Sequence, residues 1–442
     1  MQAKDNPTQT TTRQATLPIA LAGAASIPGL AMLLADRDLP HPVEALAFGA
    51  AIVGAAFLLS WAAEAAQLDV SAGLALAVLA LIAVLPEYAV DFVFAWQGGN
   101  SFEQFGPSCP PIGGGTESPC SLALANMTGA NRLLIGIGWS MVVLIAFRQS
   151  RRAKRDPGEG GRWEGVKLDR RRSIELAFLA AATLYSLALP LKHSVTLVDA
   201  VVLVAIFIAY TIRVSTAPAE EPHLIGPAAA IGELRPAVRR TAVVGMFAGA
   251  AAVILLFAEP FAHALVESGT DLGISEFLLV QWLAPLASEA PELLVAGLYA
   301  WRLNANAGLS TLVSSKVNQW TLLVGTLPIV FAIASGGAHG LPLGARQREE
   351  IFLTAAQSFF AIAVLSNLSM SLREAGWLFG LFWAQFILGA TLPTEWQASE
   401  LIAFGVVYLA LGARLLLADR RRLPRLFRDG FRASHEELAS ST

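Results

Sequence analysis

Pro285-Leu-Ala-Ser-Glu-Ala-Pro-Glu-Leu-Leu294 lies inside a long apolar run, and its two acids, Glu289 and Glu292, decide how the chain is read. A carboxylate at bilayer depth costs roughly 2.5–3.5 kcal/mol on insertion scales, so its presence marks a functional candidate. Pro291 has no N–H and leaves the carbonyl of Ala287 without its helical donor. A bare carbonyl beside a carboxylate suits a desolvated cation. The same phrase occurs earlier as Ala-Val-Leu-Pro86-Glu87-Tyr-Ala-Val-Asp91. Two Pro-Glu pairs in comparable helices point to a duplicated transporter with one site formed by both halves.

The composition supports a membrane setting. Of 442 residues, 55% are hydrophobic and 15% charged, against roughly 25% charged in soluble domains. The mean hydropathy is +0.56. Apolar runs near the 20-residue length of a span fall at about 17–34, 43–66, 72–97, 119–147, 174–191, 195–212, 241–262, 275–301, 307–333, 350–370, 374–392 and 398–418. The expected class is an all-α polytopic membrane protein with about twelve transmembrane helices in two inverted repeats. The polar N-terminus, 1–16, has no apolar core, so no cleaved signal peptide is expected.

Lys and Arg set the expected orientation. They crowd the loop 148–173 and the tail 419–442, which places both, and both termini, in the cytoplasm of a multi-pass inner-membrane protein. The tail segment Arg422-Leu-Pro-Arg-Leu-Phe-Arg428 reads as a topogenic charge cluster or a headgroup-binding stretch. The expected organisation is an extra N-terminal helix (17–42), a first half (43–213), a cytoplasmic linker (214–240), a second half (241–392) and a C-terminal helix (393–418). The loop 98–119 then lies outside. Its Cys109 and Cys120 could close a ring worth about 2–3 kcal/mol; two free thiols are the alternative.

After Glu87 comes Asn126-Met-Thr-Gly-Ala-Asn131-Arg132. After Glu292 comes Thr311-Leu-Val-Ser-Ser-Lys316. Pairing Asn131 with Lys316 sets the register. Glu87 to Asn131 is 44 positions and Glu292 to Lys316 is 24, so the first half carries an insertion the size of the cysteine loop. The Pro-Glu helices are the third and eighth spans, and an odd separation inverts one relative to the other.

These residues resemble the alpha repeats of the sodium/calcium exchanger membrane domain, in the cation/calcium exchanger superfamily. That pattern runs Gly/Ala-Thr-Ser-x-Pro-Glu, then Gly-Asn-x-x-Gly-Ser-Asn. Pro86-Glu87, Pro291-Glu292, Ser288, Asn126 and Gly129-Ala130-Asn131 match it, over roughly 43–392. The resemblance implies ten core helices and exchange of cations such as Na⁺, Ca²⁺, K⁺ or H⁺. The chain departs from the pattern at Ala83-Val84, at Glu289 in a Ser position, at Ser310-Thr311, and at Ser314-Ser315-Lys316. Ligands for several Na⁺ ions are therefore incomplete, and Arg132 and Lys316 add fixed positive charge.

Glu87, Asp91, Glu289 and Glu292 contribute four negative charges, against two positive charges on Arg132 and Lys316. The remainder could hold one Ca²⁺, two protons, or Na⁺ and H⁺ in alternation. Spacings of four and three put the acids of each pair on one helix face. Clustered buried carboxylates rarely all ionise, which suits proton coupling. Glu87 and Glu292 are the expected metal-ion ligands. Asp91 and Glu289 are further ligands or proton carriers, with salt bridges to Arg132 or Lys316 as the plain alternative. Lys316 reads as a tethered cation or a structural ion pair. Asn126, Asn131, Ser288 and Thr311 line the site or serve helix packing.

The sequence has no nucleotide-binding loop, catalytic triad or metalloprotease signature, and no cofactor, enzymatic chemistry or nucleic-acid partner is expected. The partners are inorganic cations and the lipid bilayer; the oligomeric state is left open. The leading expectation is a secondary antiporter exchanging Na⁺ or Ca²⁺ for H⁺. A salt-bridged exchanger fold acting as a sensor or assembly protein, and a passive cation channel, are the alternatives.

Overall fold

A computed structural model describes residues 7–35, 39–69, 85–111, 117–153, 163–216, 224 and 226–439. Eight helices among them are long and apolar enough to cross a bilayer. Four more, Leu85–Phe105 (21 residues), Glu276–Trp301 (26), Ala345–Leu365 (21) and Leu372–Thr391 (20), have the length to cross and carry ionisable side chains. Together they make an all-α protein of about twelve spans.

In chain order the helices used below are α1 (Pro7–Ala24), α2 (Ile27–Ala35), α3 (His41–Ala66), α4 (Leu85–Phe105), α5 (Pro119–Leu133), α6 (Ser140–Ala153), α7 (Ser173–Ser186) and α8 (Leu197–Ser215). Then come α9 (Pro227–Gly232), α10 (Pro236–Leu272), α11 (Glu276–Trp301), α12 (Ala305–Asn318), α13 (Val324–Ala334) and α14 (Ala345–Leu365). The chain ends with α15 (Leu372–Thr391), α16 (Thr394–Ala418), α17 (Leu423–Phe431) and α18 (His435–Ala439). They form two compact units. One lies within 1–93 and 214–291, the other within 94–112, 117–213 and 292–442.

In the first unit α3 packs along α10 through small residues. Ala55 and Leu59 of α3 meet Ala250, Ile254 and Ala258 of α10 there, and Ala89 of α4 joins the cluster. Gly49 lets the Phe261 ring come within 3.0 Å of where a Cβ would stand. Close approach through Gly and Ala is the usual basis of helix association in lipid. The polar linker is partly helical: it holds α9, and α10 starts at Pro236, four residues before the expected end of the linker. Asp69 anchors it, accepting a fork from Arg239 at 2.7 and 2.9 Å.

In the second unit two helices are interrupted by π-helical turns, Leu134–Trp139 between α5 and α6, and Gln319–Leu323 between α12 and α13. Two short antiparallel pairs link distant loops: β1 (Val166–Lys167) with β4 (Ser369–Met370), and β2 (Ser194–Val195) with β3 (Leu341–Pro342). Val166 to Leu341 and Ser194 to Ser369 are both 175 positions, so the two pairs exchange under the repeat. Inversion accounts for this: the connection after a helix in one half meets the connection before the equivalent helix in the other.

Several boundaries differ from expectation. The first part of the span read at 72–97 lies outside the described residues. Its helix, α4, continues to Phe105 rather than ending before Gly98. Gly98 and Gly99 serve packing there: a Cβ on Gly98 would meet Cys120 at 3.2 Å, and one on Gly99 would meet Ala334 at 2.4 Å. Cys109 and Cys120 are joined by a disulfide. The basic tail also has a fold. α17 packs on α7, where buried Asp429 accepts from Arg170 Nε at 2.6 Å and its terminal nitrogen at 2.8 Å. Phe431 stands edge-on to Phe178.

A Cβ on Gly136, in the first π-helical turn, would lie 2.4 Å from the Phe382 ring of α15. Gly136→Ala is expected to lower stability by about 1–3 kcal/mol, read as a lower thermal midpoint in detergent. An unchanged midpoint would show that α15 does not press on this turn.

Candidate cation site

Four carboxylates sit on the two proline-bearing helices. Glu87 and Asp91 are on α4, and Glu289 and Glu292 on α11. Glu87, Asp91 and Glu289 are 1%, 0% and 0% exposed, and the Oε2 of Glu292 is buried. Pro291 stands inside α11, so the helix continues through the missing donor instead of breaking. The division between the two units falls between Pro291 and Glu292 in α11, and between Val93 and Phe94 in α4. Glu87, Asp91, Glu289 and Ser288 thus belong to the first unit, and Glu292, Asn126, Asn131, Thr311 and Lys316 to the second.

The hydroxyls are tied to backbone. Ser288 Oγ donates to the carbonyl of Pro285 at 3.2 Å, and Thr311 Oγ1 to that of Ala307 at 3.0 Å. Each keeps oxygen lone pairs for another partner. Ser315, which with Ser314 and Asn318 reads from the sequence as a small polar residue serving the site or helix packing, lies beside the Glu292 carboxylate.

In the second unit the repeat register is visible as contact. Asn131 to Lys316 and Leu134 to Gln319 are both 185 positions, so the π-helical turns begin at equivalent places. The equivalent side chains touch each other. Lys316 Nζ donates to Asn131 Oδ1 at 2.6 Å and to the Asn131 carbonyl at 3.1 Å. Asn131 Nδ2 donates to the Met127 carbonyl at 2.8 Å, which turns its oxygen toward the lysine. The ammonium stands 4.6 Å from the Trp320 ring centroid, a cation–π contact. Lys316 is fully buried, and these oxygens and the ring replace its water. An ammonium held by two oxygens and a π face occupies coordination that a small cation could use.

Arg132 has a partner that the spacing does not suggest. Read as a charge partner of the four carboxylates, it forms an ion pair with Glu350 of α14 at 2.8 Å. It also donates to Gln385 Oε1 of α15 at 3.2 Å. Both members of the pair are buried. Its charge is therefore balanced locally, and the count around the four acids must include Glu350 if it includes Arg132. The sequence reading missed Glu350 because Arg346, Arg348 and Glu349 precede it, which makes it look like the charged rim of a span. A signal existed. Glu175 lies 175 positions before Glu350, at the same offset as the β pairs, and is likewise buried. Glu175 pairs with Arg172 at 2.5 Å and accepts from Ser314 of α12 at 3.4 Å.

The sodium/calcium exchanger protein family model matches residues 43–216 and 242–392. The crystal structure of the H⁺/Ca²⁺ exchanger CAX superposes with a TM-score of 0.84 at 39% identity, over 98% of this chain and 100% of that one. The structure of native YfkE superposes with a TM-score of 0.56 at 12% identity, over 90% of this chain and 99% of that one, a likeness of fold. No curated protein sequence matches the chain.

Removing one member of a buried ion pair leaves the other charge uncompensated, at a cost of about 3–5 kcal/mol. Arg132→Met is expected to fall in that range by thermal or denaturant melting in detergent. The paired exchange Arg132→Met with Glu350→Leu should cost clearly less than Arg132→Met alone. Equal losses would mean that the pair does not interact.

Proposed function

The chain belongs to the sodium/calcium exchanger protein family, and from that membership we propose a secondary antiporter that exchanges Ca²⁺ for H⁺. The observation that carries this reading is the 39% identity, over 98% of the chain, to a structure of an H⁺/Ca²⁺ exchanger. The buried acids support it. Ca²⁺ is a hard cation that takes 6–8 oxygen ligands, carboxylates first. Glu87 and Glu292 are the proposed ligands, Asp91 and Glu289 the further acids, and Asn126, Asn131, Ser288 and Thr311 the neutral oxygens. Closely spaced acids that lose a divalent cation take up protons, because several negative charges in low dielectric are unfavourable. The same groups thereby bind the two ions in competition, which is the condition for exchange.

Lys316 is proposed as a fixed cation beside the path of the mobile one. With no nucleotide-binding loop in the sequence, the driving force is an ion gradient. The basic segments 148–173 and 419–442 support a proposed orientation with both termini in the cytoplasm of an inner-membrane protein, in which the Cys109–Cys120 bond faces the oxidising side.

In proteoliposomes holding a proton gradient, added Ca²⁺ is expected to collapse ΔpH, with Glu87→Gln and Glu292→Gln at background. Wild-type exchange in both variants would remove these residues from the site. Collapse by Na⁺ but not by Ca²⁺ would change the ion. Lys316→Asn, the neutral amide of its repeat equivalent, should shift the pH dependence or the ion selectivity of exchange. If neither moves, Lys316 has only a structural role.

A further inference from the structure

α16 lies beyond both stretches matched by the family model, and it adds one acid to a place that already holds a balanced pair. Glu400 is 7% exposed, about two turns into the helix. Gln385 links it to the Arg132–Glu350 pair: its Oε1 accepts from Arg132, and a Cβ on Gly389 would meet both Gln385 Nε2 at 3.3 Å and Glu400 Oε2 at 3.7 Å. Arg132 of α5 and Glu350 of α14 act on Glu400 electrostatically. Both carboxylate oxygens of Glu400 are buried, and neither makes a well-aligned hydrogen bond.

The other half of the repeat supplies a comparison. There Glu175, the equivalent of Glu350, has Arg172 at 2.5 Å, and the second acid acting on that guanidinium, Asp169, is exposed to solvent. Here two acids face one guanidinium, which leaves one surplus negative charge in a buried place with few donors. An ionised carboxylate without hydrogen bonds or a partner of its own is strongly disfavoured, and such groups become neutral instead. A metal ion is a poor alternative occupant. Gln385 Oε1 is already engaged by Arg132, and among the described residues no group of three or more acidic, His or Cys side chains is placed to hold a metal.

We propose that Glu400 is a proton-binding site separate from the four carboxylates of α4 and α11. Glu400 holds one proton while Arg132 pairs with Glu350. When that proton leaves, the two carboxylates compete for one guanidinium. Arg132 directly follows Asn131 and stands just before the π-helical turn, so a change of its partner acts on the residue that holds Lys316. The proton site is defined by binding alone and stands whether or not Ca²⁺ is the transported ion.

The test uses the full-length protein in lipid nanodiscs, followed by infrared spectroscopy as pH is raised. Wild type is expected to show the carbonyl stretch of a protonated carboxyl group that Glu400→Gln lacks, and this band should disappear at alkaline pH. No difference between the two proteins at any pH would overturn the proposal. Replacing Na⁺ by choline should leave the midpoint of the band unchanged; a moved midpoint would make a cation, not a proton, the occupant. Thermal melting at neutral pH gives a second reading. Glu400→Gln swaps one neutral group for another and should melt close to wild type, whereas Arg132→Gln removes the base of the cluster, leaves Glu350 unpaired and should melt lower. Equal losses in both would mean that Glu400 is ionised, and the proposal would fail.

Discussion

An ionisable side chain in an apolar helix has to be solvated by protein, because hydrocarbon offers neither donors nor acceptors. In the second unit that requirement is met across the repeat. Lys316, from the second half, is held by Asn131 of the first. Arg132, from the first half, is paired with Glu350 of the second. Glu175, from the first half, accepts from Ser314 of the second. Each half provides the polar surroundings that the other half's charges need, and this ties α5, α7, α12 and α14 into one body.

The repeat also explains the irregular backbone. The π-helical turns begin at equivalent residues, each a few positions after a polar side chain that faces its own equivalent. Such turns commonly occur at functional sites, where an extra residue in the helix re-aims side chains. The symmetry is broken at the place where breaking it matters. One half presents an amide at Asn131 and the other an ammonium at Lys316. A contact that would be neutral between two asparagines carries a fixed positive charge.

The fold was legible in the sequence to the extent that hydrophobicity is local. The apolar runs coincide with about twelve spans among the described residues, and two Pro-Glu phrases mark the repeat. The register between Asn131 and Lys316 was readable from the residues on either side. Their contact was not, since nothing in a spacing says how far apart two helices lie. Gly98 and Gly99 looked like the start of a loop because glycine ends helices. In the folded chain they admit Cys120 and Ala334 instead. Pairings as short as Val166–Lys167 with Ser369–Met370 leave no periodicity to detect.

Composition and pattern alone determined the membrane class, the approximate spans and the two proline-bearing acidic helices; the exchanger reading came from the resemblance of their motifs to a known family. Each of these depends on residues close together in the chain. Only the tertiary structure decided which base neutralises which acid. Arg132 meets an acid more than two hundred positions away, and Glu400 joins that pair from a helix outside the repeat. The energy of a buried charge is set by what lies within a few ångströms of it, and those neighbours are chosen by helix packing rather than by order in the sequence.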